Sequence, residues 1–450
     1  MTNDAPIPAM HRWLNRFARV EPREAPAVVA AFFLFFFVLG SYFALRPVRE
    51  TIATLLGRER VADLWMYTAA FSIAIVPIYG WLVGKVRRSL LLPWIFGATA
   101  IILGVIGTYL RADETNLVVG TFFYIWISVL NLMLVSVCWS FLLEMFTSEQ
   151  SKRLFGLIAA GGTLGALVGP LSTRLIVSVT GNSGVFFLGT AGFVGAIFCQ
   201  RALIRIWQRQ RDDSASAPQL AGAPARAAGA HGSDRALGGN PFAGILIVLR
   251  SPYLIGIALF VVLLSAVNTF LYFEQLRIVE ETIANTTQRT EFFANIDIVV
   301  QTLTILSQLI LTGRIASTFG VRALLTVVPV IMIGGFMVLA ASNLLITIAA
   351  LLVLRRWGEY AFIRPGREML FAGLDTETKY KAKNFVDVPV YRLADWLGAQ
   401  AKTALEAIGT TPVGAALIGA GIALLWAVNG WALGSRHDAA DAATDSAGKN

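Results

Sequence analysis

Charge is scarce in this chain. Of its 450 residues only 14% are charged, against about 25% in soluble domains. Some 56% are hydrophobic and the mean hydropathy is +0.66, which excludes a soluble multidomain enzyme. Histidine and cysteine are nearly missing. The three histidines (His11, His231 and His437) fall in polar segments, so neither an imidazole relay inside a membrane nor histidine-based metal chemistry is expected. Cys138 and Cys199 sit in apolar runs and form neither a disulfide framework nor a metal pattern. No nucleophile and base can be assembled either, so the sequence predicts no enzyme, no metal and no cofactor. Lysine is rare as well: the 37 basic residues are 30 Arg and 7 Lys. Their excess, a net +9, reads as cytoplasmic loops facing anionic membrane lipids, with no nucleic acid as partner.

What is abundant is long apolar runs. A spanning helix needs about 20 such residues, and spans are predicted at 26–45, 62–84, 90–110, 116–143, 154–179 and 184–204. Six more come at 252–273, 292–312, 322–342, 344–364, 384–408 and 412–433. The fold class expected is an all-α membrane protein of twelve transmembrane helices in two parallel six-helix halves. The halves cover 26–204 and 251–433. An Ala-, Gly-, Ser- and Pro-rich linker at 205–250 joins them, between a basic N-terminus (1–25) and a tail (434–450). No cleavable signal is recognisable. In the N-terminus Trp13, Phe17 and Val20 share one helical face and Arg12, Arg16 and Arg19 another, which suits either a headgroup helix or a disordered tail. Lys and Arg alternate between loops so as to put both termini in the cytoplasm.

The halves look duplicated. At an offset of 228 or 229 residues Arg49 falls on Arg277, Gly84-Lys85 on Gly313-Arg314, and "SEQSKR" (148–153) on "TETKYK" (376–381). The segment "GRIASTFGVR" (313–322) is similar to the loop between the second and third helices of major facilitator proteins, with Ser317 where an Asp is usual. "GLIAAGGTLGALVG" (156–169) places Gly161, Gly165 and Gly169 in a row suited to close helix packing. It lacks the strand and the Lys-Ser/Thr pair of a phosphate loop.

A closer resemblance lies in "CWSFLLEMFTSEQSKRLFGLIAAGGTLGALVGP" (138–170), "FIRPGREMLFAGLDTETKYKAKNFVDV" (362–388) and "LRPVRE" (45–50). These segments resemble the ATP:ADP antiporter family, the nucleotide translocases of plastids and intracellular bacteria. The resemblance implies phosphate-binding roles for Arg49 and Arg367. It also implies acids in the fourth and seventh helices, where ungapped matching places Ile127 and Leu271.

The polar residues give an independent reading. A charge at mid-bilayer costs about 2.5–3.5 kcal/mol on insertion scales, so it should face protein or water. The tenth span holds Arg355 and Arg356 with Glu359 one turn on, so Glu359 can pair with either and leave one guanidinium for an anion. The eleventh carries Asn384, Asp387, Tyr391, Asp395 and Lys402 along one stripe, with Arg392 beside it. Asp387 and Asp395 are candidates for proton coupling, or else for ion pairs locking the span. Asp297, Gln301, Thr304 and Gln308 form a polar stripe on the eighth span, expected to line a cavity or an interface.

Arg49, Arg355, Arg356, Arg367 and Arg392 outnumber Glu359 and Asp395. The expected function is therefore secondary transport of a small anionic solute, such as a nucleotide or phosphorylated metabolite, across a bacterial inner membrane by alternating access. A lipid flippase or a non-transporting membrane sensor on the same fold is the alternative. Oligomeric state is not legible.

Overall fold

The computed structural model describes residues 20–85, 88–216, 243–371 and 374–447. The expected N-terminal helix face lies outside them except for Val20, and so do 217–242 of the expected linker. Among the described residues there is no strand. The first half contributes α1 (Ala25–Leu56), α2 (Arg58–Lys85), α3 (Arg88–Ala112) and α4 (Leu117–Met145). A continuous helical stretch, Ser148–Ser216, comes next and breaks at Gly181 into α5 (148–180) and α6 (182–216). After a short helix, Ala243–Arg250, come α7 (Pro252–Thr282), α8 (Thr286–Ile310), α9 (Thr312–Ala341), α10 (345–370), α11 (376–407) and α12 (Pro412–Ala447). This is a multi-pass membrane protein. Eight of its described helical stretches are long and apolar enough to cross a bilayer on composition alone. Helices α10 and α11 stand outside that group because a π-helical turn divides each into shorter pieces, and α2 has an uncharged run from 64 to 84. The helix of α6 continues through Ser216, so 205–216 and 243–250 of the expected linker are helical.

The helix starts show the duplication directly. Arg58 and Thr286, Leu117 and Leu345, and Ser148 and Thr376 are each separated by 228 residues. Among the described residues positive φ occurs only at glycines, and two of these, Gly181 (φ 68°) and Gly409 (φ 85°), lie at the same offset. Each ends the fifth helix of its half, where only a residue without Cβ turns cheaply into the left-handed region. The fifth helices also start alike. Thr147 accepts from the Gln150 N–H at 3.3 Å, and Gln150 Oε1 accepts from the Thr147 N–H at 3.0 Å. Asp375 accepts from the Thr378 N–H at 2.9 Å. "SEQSKR" and "TETKYK" are therefore the capped first turns of α5 and α11 rather than loops.

The described residues group into two compact units. One takes those within 20–49, 76–119 and 126–216, and the other those within 50–75, 120–125 and 243–447. In the first unit the glycine row of α5 lies on the backbone of α1. A Cβ on Gly165 would stand 2.9 Å from Gly40 N, and one on Gly169 2.8 Å from Ala44 N. Thr173 Oγ1 donates to Ala44 O at 2.7 Å. Lipid supplies no hydrophobic force between helices, so such backbone contact and hydrogen bonding must hold them. α3 packs on the helical stretch containing α6, with Phe96 and Phe193 rings 6.1 Å apart.

The second unit repeats the scheme, pairing α7 with α11 and α9 with α12. A Cβ on Gly398 would sit 3.0 Å from Thr269 Oγ1, and one on Gly434 2.7 Å from Arg322 N. The turn with the major-facilitator likeness is helical from 312 to 319 and breaks at Gly320 (φ 74°). Asp438 of α12 then accepts from the N–H groups of Val321 and Arg322 at 2.9 and 3.2 Å, capping the rest of α9.

Candidate functional site

Helices α10 and α11 are each interrupted by a π-helical turn, Glu359–Ile363 and Val386–Val390. Such turns usually accompany function, because they aim side chains off the regular helical phase. Proline is part of the cause in both. Pro365 has no N–H for Ala361 O, which instead accepts from Thr312 Oγ1 at 2.9 Å. Gln308 Nε2 donates to the neighbouring Tyr360 O at 3.2 Å. Pro389 lies inside the second π turn.

The charged candidates cluster around these turns. Arg355 donates to Glu359 at 2.9 Å, as the i,i+4 spacing predicts. Glu359 also holds Arg364 at 3.4 Å. Arg356 is not left over, which corrects the sequence expectation. It donates to Asp297 of α8, and both residues are buried. The arginines are adjacent in sequence and so diverge by about 100° around the helix. One therefore runs along its own helix to Glu359 and the other meets α8.

The polar stripe of α8 thus faces protein. Asp297, Gln301 and Thr304 are buried, while Val299, Leu306 and Leu309 on the remaining surface are exposed. Trp357 Nε1 donates to Ser307 at 2.8 Å, continuing that seam. Gln308, expected to line a cavity, spends its amide on the α10 backbone.

The α11 residues do not keep one stripe. The π turn rotates the C-terminal remainder of the helix, so Asp387 faces Arg367 near the end of α10, whereas Asp395 faces α7. Arg367 and Asp387 approach to 3.0 Å without hydrogen-bond alignment. Ser265 Oγ donates to Asp395 at 2.5 Å, and Arg392 lies 3.8 Å from the same carboxylate. Tyr391 sits in the field of Asp395, Glu359, Arg355 and Arg392, joining the two helices' charges in one cluster. The Asn384 side chain lies outside the described residues. Arg49 is in α1, inside the helix rather than after the span, and belongs to the first compact unit; the other candidates belong to the second.

Arg364 escapes a reading of the sequence. It falls at the predicted end of the tenth span, and a charge there reads as an exit from the membrane. Its side chain is 58% exposed, and its guanidinium stacks 4.6 Å from the Tyr360 ring centroid.

A second network is equally hidden in the sequence. Lys402, 2% exposed, donates to Glu274 of α7 at 2.8 Å and lies 3.2 Å from Glu406. Glu274 also holds Arg277 at 2.8 Å, and Arg277 reaches Glu281 and Asn343. The buried acid of the seventh helix is therefore Glu274, one turn beyond Leu271. Near it Arg58 pairs with Glu406 at 3.3 Å. Arg289 Nη1 donates to Thr54 at 2.8 Å, and the Thr51 and Thr290 hydroxyls meet at 2.7 Å. Trp65 donates to Tyr124, whose hydroxyl lies 3.2 Å from that of Tyr272.

No protein-family model and no curated protein matches this chain. Solved structures do. The chain is similar to the nucleoside transporter NupG at TM-score 0.61 and 13% identity, over 91% of this chain and 98% of that one. A point variant of NupG matches at 0.58 and 13% identity, over 90% and 98%. A bacterial homologue of the human lysosomal transporter Spinster, inward-facing and unoccupied, matches at 0.53 and 13%, over 93% and 97%. At this identity the likeness shows the fold alone, and that fold is the major facilitator arrangement expected from the sequence.

Proposed function

We propose that this protein is a secondary transporter of an anionic solute, working by alternating access between two six-helix bundles, 26–204 and 251–433, joined through 205–250. The observation that carries the reading is the charge cluster of α10 and α11. Guanidinium groups and carboxylates placed inside a bilayer cost about 2.5–3.5 kcal/mol on insertion scales and therefore pair with one another or line a water-filled path. Here they gather at two π turns, and Arg364 stays open to solvent. The planar donor fork of Arg suits phosphate and carboxylate. Asp387 and Asp395, each beside an arginine, are the groups we propose to couple transport to protons. The alternation of basic loops supports both termini in the cytoplasm, and the excess of Arg over Lys supports a bacterial inner membrane.

The resemblance of 138–170 and 362–388 to the ATP:ADP antiporter family, and the fold shared with a nucleoside transporter, make nucleotides and phosphorylated metabolites the first solutes to try. Uptake and counterflow into proteoliposomes containing the purified protein test the reading. Saturable movement of an anion supports it. If no anion exchanges or accumulates above protein-free vesicles, while a neutral solute does, the reading is wrong.

A further inference from the structure

We propose that Arg364, stacked on Tyr360, is the specificity contact for the solute, and that the charge balance around it selects solutes carrying a single net negative charge. This rests on the transport reading above and names the substrate class of the same site.

The ion pairs supply the count. Arg356 and Asp297 neutralise one another away from the cluster, as do Lys383 and Glu368 at the end of α10. What remains is Arg355, Arg364, Arg367 and Arg392 against Glu359, Asp387 and Asp395. Asp387 and Asp395 each have an arginine of their own. Glu359 is shared by two, with Arg355 nearer, at 2.9 Å, and Arg364 farther, at 3.4 Å. The surplus is one positive charge, and it sits on Arg364.

Exposure points to the same residue. Arg355 is buried, and the Arg367 and Arg392 side chains are 14% and 21% exposed, against 58% for Arg364. A guanidinium that open cannot lie against lipid tails without the cost of a bare charge, so it faces water or headgroups. Tyr360 fixes it from one side by a cation–π contact, and the long Nη2 contact to Glu359 uses one donor of the fork and leaves the others for the oxygens of a carboxylate or phosphate. A second negative charge on the solute would meet Glu359, Asp387 and Asp395 with no further cation among these seven groups to offset it. A phospholipid phosphodiester shares the favoured chemistry, and Arg364 lies about 28 Å along α10 from its start at 1.5 Å per residue, within reach of a headgroup. The test therefore includes lipid.

Purified full-length protein in detergent is titrated by thermal shift and by binding. The first matched series is adenosine, cyclic AMP, AMP, ADP and ATP; the second is benzoate against phthalate and lactate against malate. Phosphatidylglycerol is added separately. The expectation is that the singly charged member of a series binds about tenfold more tightly than its multiply charged relatives, the scale of one charge-assisted contact. Arg364→Gln should remove that preference, and Arg364→Lys should restore part of it. Asp387→Asn, which raises the surplus to two, should move the preference to doubly charged solutes.

Tighter binding of ADP, ATP, phthalate or malate by the parent protein overturns the single-charge rule while leaving anion transport standing. An unchanged preference in Arg364→Gln overturns the role of Arg364. Phosphatidylglycerol as the sole stabilising anion overturns the solute role, making Arg364 a headgroup anchor. If adenosine binds best of all, or no anion binds, it is the anion-transport reading itself that fails.

Discussion

Arg356 and Asp297 allow a quantitative test of how the second unit is held together. The Asp297 side chain is 2% exposed and the Arg356 side chain 10%, so the pair is desolvated. Replacing Arg356 by Met leaves the carboxylate buried without its guanidinium, a change that costs about 3–5 kcal/mol. Arg355→Met differs in kind, because Glu359 keeps Arg364. It loses one charge-assisted hydrogen bond, about 1.5–3 kcal/mol. The double replacement Arg356→Met with Asp297→Leu removes both charges and should return to within about 1 kcal/mol of the parent, since buried pairs gain little over well-packed apolar residues.

Unfolding entropy of about 2 cal/mol/K per residue makes 1 kcal/mol worth roughly 1 °C for a chain of this length. The expected losses in melting temperature are therefore about 3–5 °C for Arg356→Met and about 2 °C for Arg355→Met. Intrinsic tryptophan fluorescence in detergent, together with the monodisperse fraction after extraction, reads both. If Arg355→Met is the more damaging, or the double variant melts as low as Arg356→Met alone, the pairing is not what stabilises this seam.

Gly165→Val should cost about 1–3 kcal/mol by overpacking, because its side chain would press on the α1 backbone; normal expression and melting would show that α1 and α5 separate without penalty. Glu24, just before α1, is buried, which raises its pKa, but the Glu21 N–H, Gln150 and Arg153 outweigh this and hold the carboxyl below its ordinary 4.5. That stabilisation is complete above the ordinary pKa and is lost as pH falls through the lower folded value, so Glu24→Gln should flatten the acid side of a melting-temperature profile below the ordinary 4.5. Asp395→Asn and Asp387→Asn should abolish proton-driven accumulation and leave counterflow intact; normal accumulation in both would make these carboxylates structural.

The spans, the 228-residue repeat and the Arg355–Glu359 pair are legible in the sequence because each depends on short-range spacing. Apolar run length sets a helix, and i,i+4 sets a neighbour. The Arg356–Asp297 pair is not, since nothing local joins residues 59 apart. The stripe on α11 fails for another reason: the π turn at Val386–Val390 changes the helical phase between Asp387 and Asp395. Glu274 escapes because a charge reads as the end of the seventh span, at 273. A buried partner, Lys402, lets α7 run on to Thr282. Arg46 and Arg49 fall inside α1 in the same way. In a membrane protein, charge marks a helix end only where nothing inside can neutralise it.

Helix α11 carries two electrostatic environments about two turns apart. Asp395 belongs to the cluster that includes the exposed Arg364, while Lys402 is sealed against Glu274. Around Lys402 the ends of α1, α2 and α4 are tied to α7, α8 and α11. Among the described residues four hydrogen-bonding contacts, Thr51–Thr290, Thr54–Arg289, Arg58–Glu406 and Tyr124–Tyr272, stand beside the ring contacts of Trp65 with Tyr272 and Phe273. The Lys402–Glu274–Arg277 network lies within α7 and α11 and need not break when those ties do. At about 0.5–1.5 kcal/mol net for each, releasing the four hydrogen-bonding contacts alone costs about 2–6 kcal/mol. A ligand needs about 5.5 kcal/mol of differential binding to carry a two-state equilibrium from 1:99 to 99:1. The two figures are of one size. Under the proposed orientation these ties lie on the outer side. On the transport reading proposed above, a solute held by one guanidinium and a few hydrogen bonds supplies free energy on that scale, whereas breaking the buried Lys402–Glu274 pair would exceed it.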